Sequence, residues 1–260
     1  MIDDFAILIS SCDNYSDLWH WHVELLKRNW VGGFPKVYLV TDKETKESFE
    51  NISVLHFEGD MPARIKKAIE QIPCKYILIT LDDYYVIDAA HEEQIASDID
   101  YMSNNRVDYL SLYNRRYAKG YGYRKQKGMK QIDVTKTYAV NFYPAIWNRD
   151  FILFCIDGDL SPWDLEPKLS AKAVCYDAKC EEDLTGCFII LDVIRKGKIL
   201  RKANKYFLRN NISIGDRELT KKSYEMKLDI MDFVKFHTPH WFYILTKKIA
   251  KFFGAHFYSE

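Results

Sequence analysis

Lys75-Tyr76-Ile77-Leu78-Ile79-Thr80-Leu81 (KYILITL), closed by Asp82-Asp83, is the stretch on which the reading of the fold turns. It is the most apolar strand-like run in the chain. A short apolar run of this kind, ending in polar residues, fits a strand buried on both faces of a parallel sheet. Upstream, Asp60 precedes a predicted helix over Met61 to Ile72 with an apolar face at Ile65, Ala68 and Ile72. Asn51 to Phe57 and Lys36 to Thr41 (KVYLVT) read as strands, the latter ending in Asp42. Gly32-Gly33-Phe34-Pro35 stops a helix that Ser16 or Asp17 can cap and that runs to about Trp30. Phe5 to Ser10 (FAILIS) is another short apolar run, ending in the turn-forming Ser10-Ser11-Cys12-Asp13-Asn14-Tyr15. Downstream, His91 to Met102 is helical and Val107 to Tyr113 is a strand. The first 113 residues therefore alternate strand and helix, which predicts a three-layer α/β sheet, mainly parallel. Ligands of such sheets sit at the carboxyl ends of the strands. Here those ends carry Ser10 to Tyr15, Asp42 and Asp82-Asp83.

Composition narrows the function classes. The 260 residues are 48% hydrophobic and 28% charged, which excludes disorder of the whole chain. Lys plus Arg equals Asp plus Glu at 37, and a neutral chain argues against a protein that coats nucleic acid. Cysteines 12, 74, 155, 175, 180 and 187 form no C-x-x-C pair and read as free, mostly buried thiols of a reducing compartment. The start, Met1-Ile2-Asp3-Asp4-Phe5, is acidic and runs directly into a strand, unlike a signal peptide. No run of about 20 apolar residues suggests a transmembrane helix. A cytoplasmic protein is expected.

An apolar strand ending in Asp82-Asp83 offers hard oxygen ligands on a rigid edge, suited to Mg²⁺ or Mn²⁺ held against substrate phosphates. The plainer reading is a strand end that caps a turn. No G-x-G-x-x-G follows the first strand, and neither G-x-x-x-x-G-K-[ST] nor G-x-S-x-G occurs. Dinucleotide, P-loop and serine-elbow chemistries are disfavoured. Ser161-Pro162-Trp163-Asp164-Leu165-Glu166 opens a further predicted helix, to about Ala173, with Asp164 placed as the partner of Ser161 in a capping box. A carboxylate beside a helix N-terminus is also held ionised and aimed, as a general base requires. Glu166 is not needed for the cap and is freer to act. Trp163 is a candidate to stack on an acceptor sugar, or a core residue.

Leu81-Asp82-Asp83-Tyr84-Tyr85-Val86 resembles the metal-binding "LDD" element of GT-A glycosyltransferases. Ala145-Ile146-Trp147 followed by Pro162-Trp163-Asp164-Leu165-Glu166 is similar to paired elements of capsule and lipopolysaccharide transferases. The resemblance covers roughly residues 4 to 170. It implies a Rossmann-like GT-A fold and transfer of a sugar from a nucleotide-diphosphate donor, most simply a UDP-sugar. The acceptor would be a hydroxyl of a glycan or lipid-linked oligosaccharide, in inverting, metal-dependent cell-surface polysaccharide synthesis. It further implies that Ser11, Asp13 and Asp42 contact base and ribose, and that Arg64 meets the diphosphate. Asp82 and Asp83 would hold Mn²⁺ or Mg²⁺, and Glu166, or else Asp164, would be the catalytic base. A nucleotidyltransferase of the same architecture and a catalytically silent glycan- or membrane-binding protein are the alternatives.

Two segments break the alternation. Residues 114–131 carry seven Lys or Arg, three Gly and no acid, which suits a lid over a sugar diphosphate or a solvated loop. Residues 233–259 carry nine aromatics and four Lys with no acid. Trp241, Phe242, Leu245, Ile249, Phe252 and Phe253 follow helical spacing, with Lys247, Lys248 and Lys251 mainly on the other side. This pattern fits an amphipathic helix on the inner face of a membrane. Docking on the catalytic domain, or a subunit interface in a homo-oligomer, is the alternative. The expected organisation is a GT-A domain over 1–227, with a nucleotide-sugar half (1–113) and an acceptor half (114–227), followed by an amphipathic segment over 228–260.

Overall fold

The computed structural model describes residues 2–112, 128–158 and 161–237. The chain divides into two compact units, Met1–Asp192 and Val193–Glu260. The basic loop lies largely outside the described residues, as does the tail beyond His237.

The first unit contains strands β1 (Phe5–Ser10), β2 (Trp30–Val31), β3 (Lys36–Thr41), β4 (Ile52–His56), β5 (Tyr76–Leu81) and β6 (Tyr84–Val86). They are followed by β7 (Ala90–His91), β8 (Tyr109–Ser111), β9 (Met129–Gln131), β10 (Ala145–Asn148), β11 (Cys180–Asp183) and β12 (Ile190–Asp192). Eight of them form one sheet in the order β4-β3-β1-β5-β10-β8-β11-β9. β1 pairs in parallel with both β3 and β5, whereas β10 runs antiparallel to its neighbours β5 and β8. β8 and β11 are parallel, and β9 closes the edge in the antiparallel sense. The sheet is mixed and mainly parallel.

Every residue of β1 is buried. Phe5, Ile7 and Ile9 join one apolar layer, while Ala6 and Leu8 join the other. β5 is divided in the same way, Tyr76 and Leu78 against Ile77 and Ile79. Two covered faces are why these strands read as unbroken apolar runs. Helix α1 (Ser16–Asn29) covers the first face with Trp19, Val23 and Leu26. Helix α2 (Met61–Gln71) covers the second with Ile65, Ala68 and Ile69. Asp60 caps α2 by accepting from Ala63 N–H at 3.2 Å. α1 uses no side-chain cap; a 3₁₀ turn over Asp13–Tyr15 leads into it, and neither Ser16 nor Asp17 plays the capping part expected of it. Helix α3 (Glu92–Asn105) also packs on the α1 face, through Ile95, Ile99 and Met102.

Val134 to Tyr143 forms turns and bends rather than a strand. Side chains replace the missing ladder: Ser170 Oγ accepts from Ala139 and Val140 N–H at 3.0 and 3.2 Å, and Asn141 Oδ1 accepts from Tyr143 N–H at 3.0 Å. The strand that follows, β10, buries Trp147 completely against Tyr109, Phe151 and Phe142. The six cysteines are free; four are buried, Cys12 is half-buried and Cys175 is exposed.

The second unit opens with a hairpin, Ile194–Arg195 against Lys198–Ile199. Its two turn residues, Lys196 and Gly197, both have positive φ, at 52° and 73°. That is the tight hairpin geometry matched to strand twist. Helices Arg201–Asn210 and Lys222–His237 follow. Along the latter, Met226, Ile230 and Phe233 are 55%, 58% and 52% exposed at a spacing that puts them on one stripe.

Asp98 of α3 and Asp183 of β11 are both buried beside buried Cys187, with one ligand-type atom from each all within 4.8 Å of one another. Gln94 Nε2 and the Cys187 thiol donate to Asp98 at 2.9 and 3.4 Å, and Thr185 donates to Asp183 through N–H and hydroxyl at 2.8 and 2.6 Å. Burial, then the Asp183 charge, pushes the Asp98 carboxyl up to about 7. A carboxyl raised in the fold favours folding when protonated. That contribution is full below the ordinary carboxyl range near 3.8 and disappears as pH rises through 7. Asp98→Asn, a neutral isostere, should therefore raise the melting temperature at pH 8 by roughly 5 °C and change it little at pH 4. Thermal unfolding of both proteins across that range checks this, and parallel pH profiles would refute it.

Candidate functional site

Two backbone hydrogen bonds carry the ladder one residue past the strand ends. Ser11 N–H donates to Val40 O at 2.9 Å, and Asp82 N–H donates to Ser10 O at 3.2 Å. Ser11 and Asp82 are thus fixed side by side where β1 and β5 end. From β1 the chain steps outward to β3 and β4, then returns to β5 on the other side of β1. The junction of β1 and β5 is accordingly the point where strand order reverses, and ligand crevices of open α/β sheets form at such points.

Side chains from both helical layers converge there. Ser11 Oγ accepts from the Trp19 indole N–H at 2.6 Å and donates to Asp82 Oδ2. His22 Nδ1 lies 3.1 Å from the Asp82 carbonyl, which only accepts, so Nδ1 carries the proton. Complete burial lowers His22 to about 4, and the imidazole is neutral near neutral pH. Its ring meets Tyr85 edge-on at 5.7 Å. From the other face, Arg64 donates to Gly59 O at 2.5 Å and to Ser11 O at 3.1 Å. Arg64 is only 7% exposed, and its Nε has no hydrogen-bond partner among the described residues.

Asp42, just past β3, accepts from Asp13 N–H at 2.6 Å. Burial pushes its carboxyl up, but the Asp13 N–H, its own N–H and the charges of Arg64 and Lys43 outweigh that and hold it below its ordinary range. Asp13 pairs with Lys43 at 3.0 Å. Cys12 is raised by burial and by the Asp82 and Asp42 charges, so it remains a thiol rather than a nucleophilic thiolate. Asp83 is half-buried in the turn between β5 and β6. Asp192 pairs with Tyr84 in the β6–β12 ladder, which brings a third carboxylate within one residue of Asp83 in register.

Ser11, Asp13, Asp42, Arg64, Asp82 and Asp83 therefore share one edge of the sheet. The carboxylates are hard oxygen donors of the type that divalent cations take, and Arg64 brings a buried cation to the same edge. Asp164, Trp163 and Glu166 form a separate constellation. Ser161 Oγ donates to Asp164 Oδ2 at 2.7 Å and accepts from Asp164 N–H at 3.3 Å, so the serine side of the expected capping box is formed and the carboxylate meets the serine hydroxyl. Trp163 is 85% exposed and is no core residue; Leu165 supplies the anchor at 1%. Glu166, half-buried, opens a 3₁₀ turn over Glu166–Lys168. The sequence reading passed over Trp19 and His22. The signal was their three-residue spacing on the inward face of the helix after β1, where a polar ring must find a partner.

No family model and no curated protein matches the chain. Solved structures do. S. aureus TarS 1–349 in complex with UDP-GlcNAc superposes with a TM-score of 0.51 at 14% identity, covering 76% of this chain and 60% of that one. The mannosyltransferase PcManGT from Pyrobaculum calidifontis, in complex with GDP-Man and Mn²⁺, superposes with a TM-score of 0.50 at 12% identity, covering 81% of this chain and 61% of that one. A cytidylyltransferase from Leptospira borgpetersenii covers 84% of this chain and 99% of its own at 13% identity, but its TM-score of 0.43 is too loose to argue from. The chain thus spans about three fifths of the length of the first two. At these identities the likeness speaks for the fold, which is Rossmann-like and of the GT-A kind.

Proposed function

We propose that the chain is a nucleotide-sugar glycosyltransferase. The observation that carries this reading is the convergence of Asp13, Asp42, Arg64, Asp82 and Asp83 on the strand-order reversal of a GT-A-like sheet. The two neighbours of comparable fold hold UDP-GlcNAc and GDP-Man, the latter with Mn²⁺. We take a UDP-sugar as the first donor to test. Asp83, with Asp82, would hold Mn²⁺ or Mg²⁺, which when bound supplies positive charge against the departing diphosphate. Arg64 adds a fixed cation on the α2 side, and Asp13 and Asp42 receive the base and ribose.

The transfer we propose is inverting. Glu166 would take the proton from the acceptor hydroxyl as the new glycosidic bond forms and the nucleotide diphosphate leaves. Asp164, tied to Ser161, is the second candidate, and exposed Trp163 offers a face to an acceptor sugar. The acceptor class we favour is a cell-surface polysaccharide intermediate, glycan or lipid-linked. The exposed Met226, Ile230 and Phe233 stripe and the Lys- and aromatic-rich sequence after it support work at the inner face of a membrane. Among the described residues no helix is long and apolar enough to cross one.

A nucleotide-sugar panel, read by thermal shift with and without Mn²⁺, is expected to give a donor that stabilises the chain only with metal. Asp83→Ala should abolish that shift and the metal-dependent release of nucleotide; an unchanged shift would remove the metal assignment, and pyrophosphate release would point to nucleotidyl transfer. Glu166→Gln should keep donor binding and lose transfer by roughly two to four orders of magnitude. Full transfer by that variant would move the base elsewhere. Deleting residues 233–260 should shift the protein from sedimenting membranes to the supernatant, and an unaltered distribution would make the segment structural.

A further inference from the structure

The direction of the hydrogen bonds around Ser11 points to a role beyond nucleotide contact. An indole N–H only donates. Trp19 Nε1 lies 2.6 Å from Ser11 Oγ, so that oxygen is the acceptor and its single proton must go elsewhere. Two acceptors are within reach: Asp82 Oδ2, and the Cys12 carbonyl at 3.3 Å. A carboxylate is the stronger acceptor and here the closer one. The chain therefore runs one way, from Trp19 through Ser11 to Asp82.

All three residues are buried, at 1%, 5% and 8% exposure. The backbone of each end is clamped independently. Arg64 holds the Ser11 carbonyl, His22 holds the Asp82 carbonyl, and the extended ladder holds both N–H groups. A serine whose hydroxyl already accepts from an indole and donates to a carboxylate has no proton left to give to a base or ribose.

We propose that Ser11, oriented by Trp19, is a positioning residue that fixes the Asp82 carboxylate in one rotamer before donor and metal arrive. This rests on the reading of Asp82 as part of the metal–diphosphate site. Partners that orient a metal-binding carboxylate from behind typically contribute 10- to 100-fold in metal affinity, roughly.

The experiment measures Mn²⁺ affinity of the full chain in the presence of UDP and, in parallel, of GDP, from the electron paramagnetic resonance signal of free Mn²⁺. Ser11→Ala should weaken Mn²⁺ binding by about 10-fold or more. Trp19→Phe should weaken it in the same direction, and the double variant should be no worse than Ser11→Ala, because Trp19 acts through Ser11. Ser11→Thr, which keeps the hydroxyl, should restore affinity to within about threefold of the wild type. Melting curves accompany each variant. A lowered melting temperature with unchanged Mn²⁺ affinity in Ser11→Ala would make the chain merely structural and overturn the inference while leaving the functional reading intact. Additive losses in the double variant would overturn the relay through Ser11. Wild-type protein that takes up Mn²⁺ with neither nucleotide would overturn the functional reading and this inference with it.

Discussion

Phe5 to Ser10 lies between two parallel neighbours with all six residues buried, and that confinement determines much of what surrounds it. A strand covered on both faces has no room for charge along its length, so polar chemistry is displaced to its ends. At the carboxyl end the ladder continues one residue further on each strand, which fixes Ser11 and Asp82 by backbone geometry rather than by loop packing. The two helical layers then reach the same point from opposite sides. α1 supplies Trp19 and His22, and α2 supplies Arg64. A site built on strand ends and first helical turns is held more tightly than one built on long loops.

The charge at this edge is unbalanced by design of its parts. Asp13, Asp42, Asp82 and Asp83 outnumber Arg64 and Lys43, and the Asp13–Lys43 pair is exposed and screened by solvent. His22 contributes no compensating charge, because its burial keeps it neutral until about pH 4. Asp42 stays ionised through its hydrogen bonds. The zero net charge of the whole chain thus conceals a locally acidic edge, rich in hard oxygen donors of the type that divalent cations take.

Much of this was legible in the sequence, because local patterns generated it. KYILITL and FAILIS name the central strands, and Asp60 names the start of α2. The Ser161–Asp164 cap is visible from its spacing alone. What escaped depends on partners distant in sequence. Val134 to Tyr143 forms no strand, and Ser170, some thirty residues on, takes two of its backbone N–H groups, a contact that no local pattern announces. β10 enters the sheet between β5 and β8 against the parallel direction, and no periodicity distinguishes that from a parallel insertion. Trp19 and His22 look like ordinary members of an amphipathic stripe until the serine and carbonyl they bind are known.

Buried polar atoms without partners offer one more line of argument. Ser10 Oγ, Thr80 Oγ1, His22 Nε2 and Arg64 Nε all lack a hydrogen-bond partner among the described residues. Each such group costs about 1–3 kcal/mol in a folded protein. Ser10 and Thr80 are close to the last residues of β1 and β5. By strand alternation Ser10 points to the α2 face with Ala6 and Leu8, and Thr80 to the α1 face with Tyr76 and Leu78. His22 and Arg64 come from the helices covering those same faces. Trp147 Nε1 is also without a partner, but it lies deep in the core, where burying a large ring offsets the loss. No such gain applies to two hydroxyls, an imidazole nitrogen and a guanidinium. A fold selected for stability alone would replace them with apolar groups. They lie near one strand-order reversal, where the fold departs from what stability alone would select.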